Sequence, residues 1–241
     1  YMRMFVNHTV ATLLLTLGLF TSTLIYADSR PTVGIVDFKS SITTKWWRGY
    51  IGKDMADMLA NELAGTKKFN VVERQKIGAI VTEQGLASAG RVREGTGAKS
   101  GNLTGAKYLV TGTVTSYEEN TSDTKGALTV MGVRVGGSKG KAYITVDLRI
   151  VDSSTGVVVD HRTVEANSGK FGLNLGFRKY GLGGKVDHEQ KTPAMKAVRA
   201  VIMEISDYLV CSMVDDNSCV KEYDAKEERR REKTRGAITL E

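Results

Sequence analysis

Trp46 and Trp47 stand side by side in a polar stretch of this chain. Two adjacent indoles in water are costly, so they must either pack or make contact with something else. Cys211 and Cys219 lie eight residues apart. Such a pair either closes a small disulfide loop in an oxidising compartment or stays as two buried thiols. Side chains suited to catalysis are scarce. His8, His161 and His188 are far apart, and none sits in a partnered motif. No metal-ligand spacing surrounds the cysteines, so neither a metal nor a cofactor is expected. Four Gly-Lys pairs, Gly52-Lys53, Gly140-Lys141, Gly169-Lys170 and Gly184-Lys185, invite a phosphate-loop reading. None has a glycine five residues earlier or a Ser or Thr after the lysine. The expectation is a protein with no catalytic residues, not an enzyme.

Composition points to a folded chain. Hydrophobic residues make up 41% and charged residues 25%, which excludes wholesale disorder. Glycine is plentiful at 26 and proline rare at 2, a balance that suits strands and tight turns. The net charge of +7 is dispersed, and the run Arg229, Arg230, Arg231 is flanked by Glu227, Glu228 and Glu232. That pattern is a solvated helix face, and no nucleic-acid partner is expected. Residues 1–27 read as a cleavable export signal: Arg3, an apolar run over 10–26, then small Ala27 before Asp28.

From residue 28 to 117 the periodicity gives an α/β layer: strand 32–38, helix 50–64 stopped by Gly65, strand 69–72, helix 75–84 and strand 107–117. Ile51, Met55, Met58, Leu59 and Leu63 mark the first helix. Residues 191–214 form a helix that completes this domain, with Val198, Val201, Ile202, Ile205 and Leu209 on one stripe. A charged helix or tail occupies 215–241.

Residues 118–190 alternate with period two. Ile144, Val146 and Leu148 alternate with Thr145 and Asp147, and Phe171, Leu173, Leu175 and Phe177 alternate with Gly172, Asn174 and Gly176. Two hairpins can be drawn. The first, within 118–152, pairs 128–135 with 141–152; the second, within 153–190, pairs 157–175 with 177–188. Their strands approach the roughly 9–11 residues that cross a bilayer. On that reading Ile144, Val146, Leu148, Phe171, Leu173, Leu175 and Phe177 face lipid, opposite a polar lumen. Alternation alone would favour a soluble antiparallel sheet with one solvated face. Four strands cannot close a barrel, so membrane hairpins would require several copies of the chain.

The strings Val33-Gly34-Ile35-Val36-Asp37-Phe38, Gly52-Lys53-Asp54-Met55-Ala56-Asp57-Met58-Leu59, Phe69-Asn70-Val71-Val72-Glu73-Arg74-Gln75 and Tyr108-Leu109-Val110-Thr111-Gly112 occur in that order. With Val151-Asp152-Ser153-Ser154-Thr155-Gly156 they resemble the CsgG family over residues 30–214. The resemblance implies an α+β fold: a periplasmic α/β domain whose two β-hairpins contribute to an oligomeric transmembrane β-barrel. It implies a nonameric ring in the bacterial outer membrane, in contact with lipid and with periplasmic accessory proteins. Through it, unfolded polypeptides of the curli type would be exported by diffusion. By alignment with the family's constriction loop, Trp46, Trp47 and Ile42 would line the narrowest part. Asp28 stands where family members carry a lipidated cysteine, and the loop lacks the family's asparagine and phenylalanine. The alternative is a periplasmic adaptor or activator using the same α/β domain without a pore.

Overall fold

The computed structural model describes residues 29–43, 47–119, 128–130, 133–135, 141–168, 192–215 and 218–237. In chain order its elements are β1 (Thr32–Ile35), β2 (Lys39–Ser40), α1 (Ile51–Thr66), β3 (Asn70–Val72), α2 (Ile77–Ser88), β4 (Tyr108–Glu119), β5 (Leu128–Val130), β6 (Val133–Val135), β7 (Ala142–Asp152), β8 (Val158–Asn167), α3 (Pro193–Met213) and α4 (Val220–Ala237). Among the described residues this is a mixed α+β fold with a six-stranded sheet and four helices. The strand order is β3-β1-β4-β7-β8, and β2 pairs with β4. β1 runs parallel to both β3 and β4, while β7 runs antiparallel to its two neighbours, β4 and β8.

The helices follow from their apolar stripes. Met55, Ala56, Leu59 and Leu63 of α1 are fully buried and set that helix against β1 and β3. The helix runs past Gly65 and closes on Lys67, whose φ of 58° is left-handed, so it ends at Thr66, two residues later than a stop at Gly65 gives. Thr192 caps α3, its hydroxyl accepting the Met195 N–H at 3.3 Å, and Pro193 opens the first turn where its missing N–H costs nothing. Ala197, Val201, Ile205 and Leu209 are fully buried on the face that α3 lays across β7, β8 and α1.

This packing corrects two expectations. Ile144, Val146 and Leu148 do not face lipid: they are 0–1% exposed, in the core beneath α3. Each contributes about 2–3 kcal/mol by leaving water there. Period-two alternation specifies one apolar face, and the apolar stripe of α3 covers it. The pairing also differs. Residues 142–152 lie between β4 and β8, and β5 pairs with β6, Leu128 opposite Val135. Strands β7 and β8 therefore belong to the main sheet. Residues 1–27, Trp46, Phe171, Leu173, Leu175 and Phe177 lie outside the described residues.

Candidate functional site

The register of the antiparallel strands puts two chain excursions at one end of the sheet. β4 and β7 end on the pair Glu119 and Ala142, and β7 and β8 end on the pair Tyr143 and Asn167. The chain thus leaves the sheet at Glu119, returns at Ala142, and leaves the same end again after Ser168. Ser168 ties the two bases together. Its N–H donates to the Ala142 carbonyl at 2.8 Å, and its hydroxyl accepts the Ala142 N–H at 3.0 Å. Two tyrosines stand at this end, Tyr117 opposite Ile144 and Tyr143 opposite Glu118, each half-buried on its own face of the sheet.

The loop after β1 is anchored beside the same strand. β2 pairs Lys39 with Thr113 and Ser40 with Val114, immediately before an irregularity in β4 between Val114 and Ser116. Both the N–H and the hydroxyl of Ser41 donate to the Val114 carbonyl, at 3.0 and 3.2 Å. The Ser40 hydroxyl donates to the Ile42 carbonyl at 2.8 Å and accepts the Ile42 N–H at 3.2 Å, closing a tight polar turn. Ile42 and Trp47 are half-buried and pack against the hydrophobic core. At the root of the loop, the Phe38 N–H donates to the Gly52 carbonyl at 3.1 Å. A Cβ on Gly52 would stand 2.0 Å from the Phe38 carbonyl oxygen, so only glycine permits this approach of α1 to the chain.

The opposite flank of the sheet is braced by α4. The Tyr208 hydroxyl donates to Asp160 at 2.6 Å, and burial, then that carboxylate, push the phenol up to about 12. Tyr223 meets the Tyr208 ring edge-on, with centroids 5.1 Å apart, and Arg162 bonds Asp224 at 2.7 Å. Cys211 and Cys219 are joined in a disulfide with a Cα–Cα distance of 5.9 Å, holding α4 to the end of α3.

The structure therefore brings Ile42 and Trp47 to one loop at the core and sets Cys211 and Cys219 as a pair, while Ile144, Val146 and Leu148 serve the core. Sequence reasoning named Phe38, Gly52 and Gly112 only within the family-like strings and missed that they position that loop. Their signal, glycines opposite an aromatic, has no fixed spacing. Among the described residues no group of three or more His, Cys, Asp or Glu could hold a metal ion. Among them, too, no helix is long and apolar enough to cross a membrane.

The family described as "Curli production assembly/transport component CsgG" matches residues 21–238. A putative lipoprotein of Neisseria meningitidis serogroup B is 30% identical over 109 residues, which is 45% of this chain and 43% of that protein. The match thus spans less than half of that relative's length. Among solved structures, the PelC dodecamer from Paraburkholderia phytofirmans is similar with a TM-score of 0.37 and 14% identity, covering 73% of this chain and 85% of the other. Lipoprotein GNA1162 from Neisseria meningitidis gives 0.34 and 14%, covering 73% of this chain and 99% of the other.

Proposed function

This chain belongs to the CsgG family of curli production assembly/transport components, and on that premise we propose that it is one subunit of a ring-shaped outer-membrane pore that passes unfolded polypeptides without catalysis. The observation that carries this reading is the shared sheet end. The sheet strands end there at Glu119 and Ala142 and again at Asn167, so two hairpins built on those ends would project in one direction. The second of these segments contains Phe171, Leu173, Leu175 and Phe177 alternating with Gly172, Asn174, Gly176 and Arg178. That is the pattern of a lipid face backed by a polar lumen.

A barrel needs every strand edge paired. Each unpaired backbone group in lipid costs several kcal/mol, so one chain cannot span alone and a ring of copies must close the wall. In such a ring, Tyr117 and Tyr143 would sit at the water–lipid boundary, where an amphipathic ring is favoured. The loop of Ile42, Trp46 and Trp47, anchored on β4, would point along the axis as the constriction. Apolar indoles there would give a passing chain contacts that do not depend on its sequence. With residues 142–152 in the main sheet between β4 and β8, the membrane strands of this reading fall to the two excursions alone.

Single-channel conductance of the detergent-purified protein in planar bilayers tests the reading. Stable channels that widen in Trp46→Ala/Trp47→Ala are expected. Channels unaltered by that pair would move the constriction elsewhere. A water-soluble monomer that never conducts would overturn the pore and favour the periplasmic adaptor.

A further inference from the structure

Among the described residues the main sheet ends on β3, of 3 residues, and on β8, of 10, so β8 is the longer outer strand. The Ser168 N–H bonds the Ala142 carbonyl, which makes that pair a hydrogen-bonded one. Alternation along the ladder then turns the backbone of Arg162 and Val164 toward β7, and that of His161, Thr163 and Glu165 away from it. Of those outward groups, only the His161 N–H has a protein partner among the described residues, Asp160 Oδ1 at 2.7 Å. Such a row of unpaired groups is a template for another strand.

α4 stands across this edge. Cavities of about 210 and 540 Å³ separate it from β8, lined on the strand side by Asp160, His161, Arg162, Thr163, Val164 and Glu165. These side chains alternate between the two faces of the sheet, and an element that meets both sets must lie at the edge. α4 therefore covers β8 without filling the space beside it. No described side chain of α4 is fully buried. Its holds are the disulfide at its start, Tyr223 edge-on to Tyr208, Asp224 on Arg162 and Lys226 at 3.8 Å from Glu204. Pairs within the helix, Glu222 with Lys226 and Glu227 with Arg231, support it as a unit that can swing away intact.

We propose that α4 is a disulfide-latched cover that keeps the edge of β8 from pairing with β8 of a second copy. The sequence of β8 favours its own antiparallel mate. Centred on Thr163, the two strands set Thr163 opposite Thr163 and His161 opposite Glu165, both of them favourable cross-strand pairs between outward-facing residues. The two patches are the same surface, so the contact is two-fold and stops at a dimer. A dithiol reductant opens the latch: it passes two electrons and two protons to the sulfur pair, leaving Cys211 and Cys219 as thiols and becoming a disulfide itself. The cover does not depend on the pore reading, and its failure leaves that reading untouched.

The test places Thr163→Cys in the full chain in detergent, in three backgrounds: wild type, Cys211→Ser/Cys219→Ser, and Tyr223→Ala/Asp224→Ala. In the paired register the two introduced cysteines stand about 5.5 Å apart between Cα atoms, within disulfide reach. After mild oxidation, non-reducing gels are expected to show at least about tenfold more covalent dimer in both loosened backgrounds than in wild type. Equal dimer in wild type overturns α4 as the cover. No dimer in either loosened background overturns the second copy as the strand that β8 accepts. Dimer from Tyr223→Ala/Asp224→Ala alone, beside a folded Cys211→Ser/Cys219→Ser, overturns the disulfide as the latch. His161→Cys in the same backgrounds is the register control, since its mate would lie about 13 Å along the strand. It is expected to stay monomeric, and as much dimer from it as from Thr163→Cys overturns the pairing centred on Thr163.

Discussion

The Phe38 ring fills the space above Gly112: a Cβ added there would lie 2.4 Å from Cε1 of Phe38 and 2.9 Å from Cγ1 of Val146. A missing side chain in β4 therefore fixes the aromatic that roots the loop of Ile42 and Trp47. Gly112→Ala should force the ring or the strand to shift, at about 1–3 kcal/mol. Thermal unfolding should show a clear fall in midpoint. Gly78→Ala, in α2 with open space around it, is the control and should be neutral or slightly stabilising. Equal effects at both positions would sink the packing account.

The disulfide between Cys211 and Cys219 should matter for α4 more than for the sheet. It clamps the start of a helix whose other holds on the body include Tyr223 against Tyr208, Asp224 on Arg162 and Lys226 near Glu204. Reduction, or Cys219→Ser, is expected to cost about 2 kcal/mol. Limited proteolysis should then cut first within α4. Cleavage that starts in β7 or β8 instead would show that the bond serves the core.

The acid limb of stability has a nameable contributor. The Glu227 carboxylate accepts from Arg230 at 2.9 and 2.7 Å and from Arg231 at 2.8 Å, and these bonds, Arg230 foremost, hold it down at about 2. Its folded value lies below the ordinary 4.5, so the stabilisation is fully present above that pH and is lost as pH falls toward about 2. Denaturant melts of Glu227→Gln between pH 5 and about 2 should show a shallower acid-side decline than wild type. Parallel curves for the two proteins would remove Glu227 from the account.

How much of this was legible from the residues depends on which interactions leave a period. α1 and α3 announce themselves because Met55, Leu59 and Leu63, and Val198, Val201, Ile205 and Leu209, recur at helical spacing toward a single face. The alternation of Ile144, Val146 and Leu148 was equally plain, but it could not say what covers the face, and the covering helix lies far along the chain. Whether Cys211 and Cys219 bond depends on the turn that brings their Cα atoms within 5.9 Å, which spacing alone leaves open. The Phe38–Gly112 and Phe38–Gly52 approaches are matters of volume, and no sequence pattern encodes volume. The shared sheet end needs the register of β4, β7 and β8, which the hairpins drawn from turns placed differently.

The division between the core strands and the segments that the pore reading assigns to the membrane yields the last prediction. Val146 is 0% exposed beneath α3, and a carboxylate there would be buried without a partner, at a cost of several kcal/mol. Val146→Asp should therefore abolish the folded domain, seen as loss of a cooperative melt. Leu173→Asp changes a residue of the second excursion, which the pore reading assigns to lipid and not to the core. It should keep the wild-type melt of the soluble domain yet fail to insert or conduct in planar bilayers, since a charge on the lipid face is costly near the midplane. If Leu173→Asp conducts normally, that excursion does not line a membrane barrel. If it unfolds the domain as Val146→Asp does, residues 169–191 belong to the core and the pore reading loses its second strand pair.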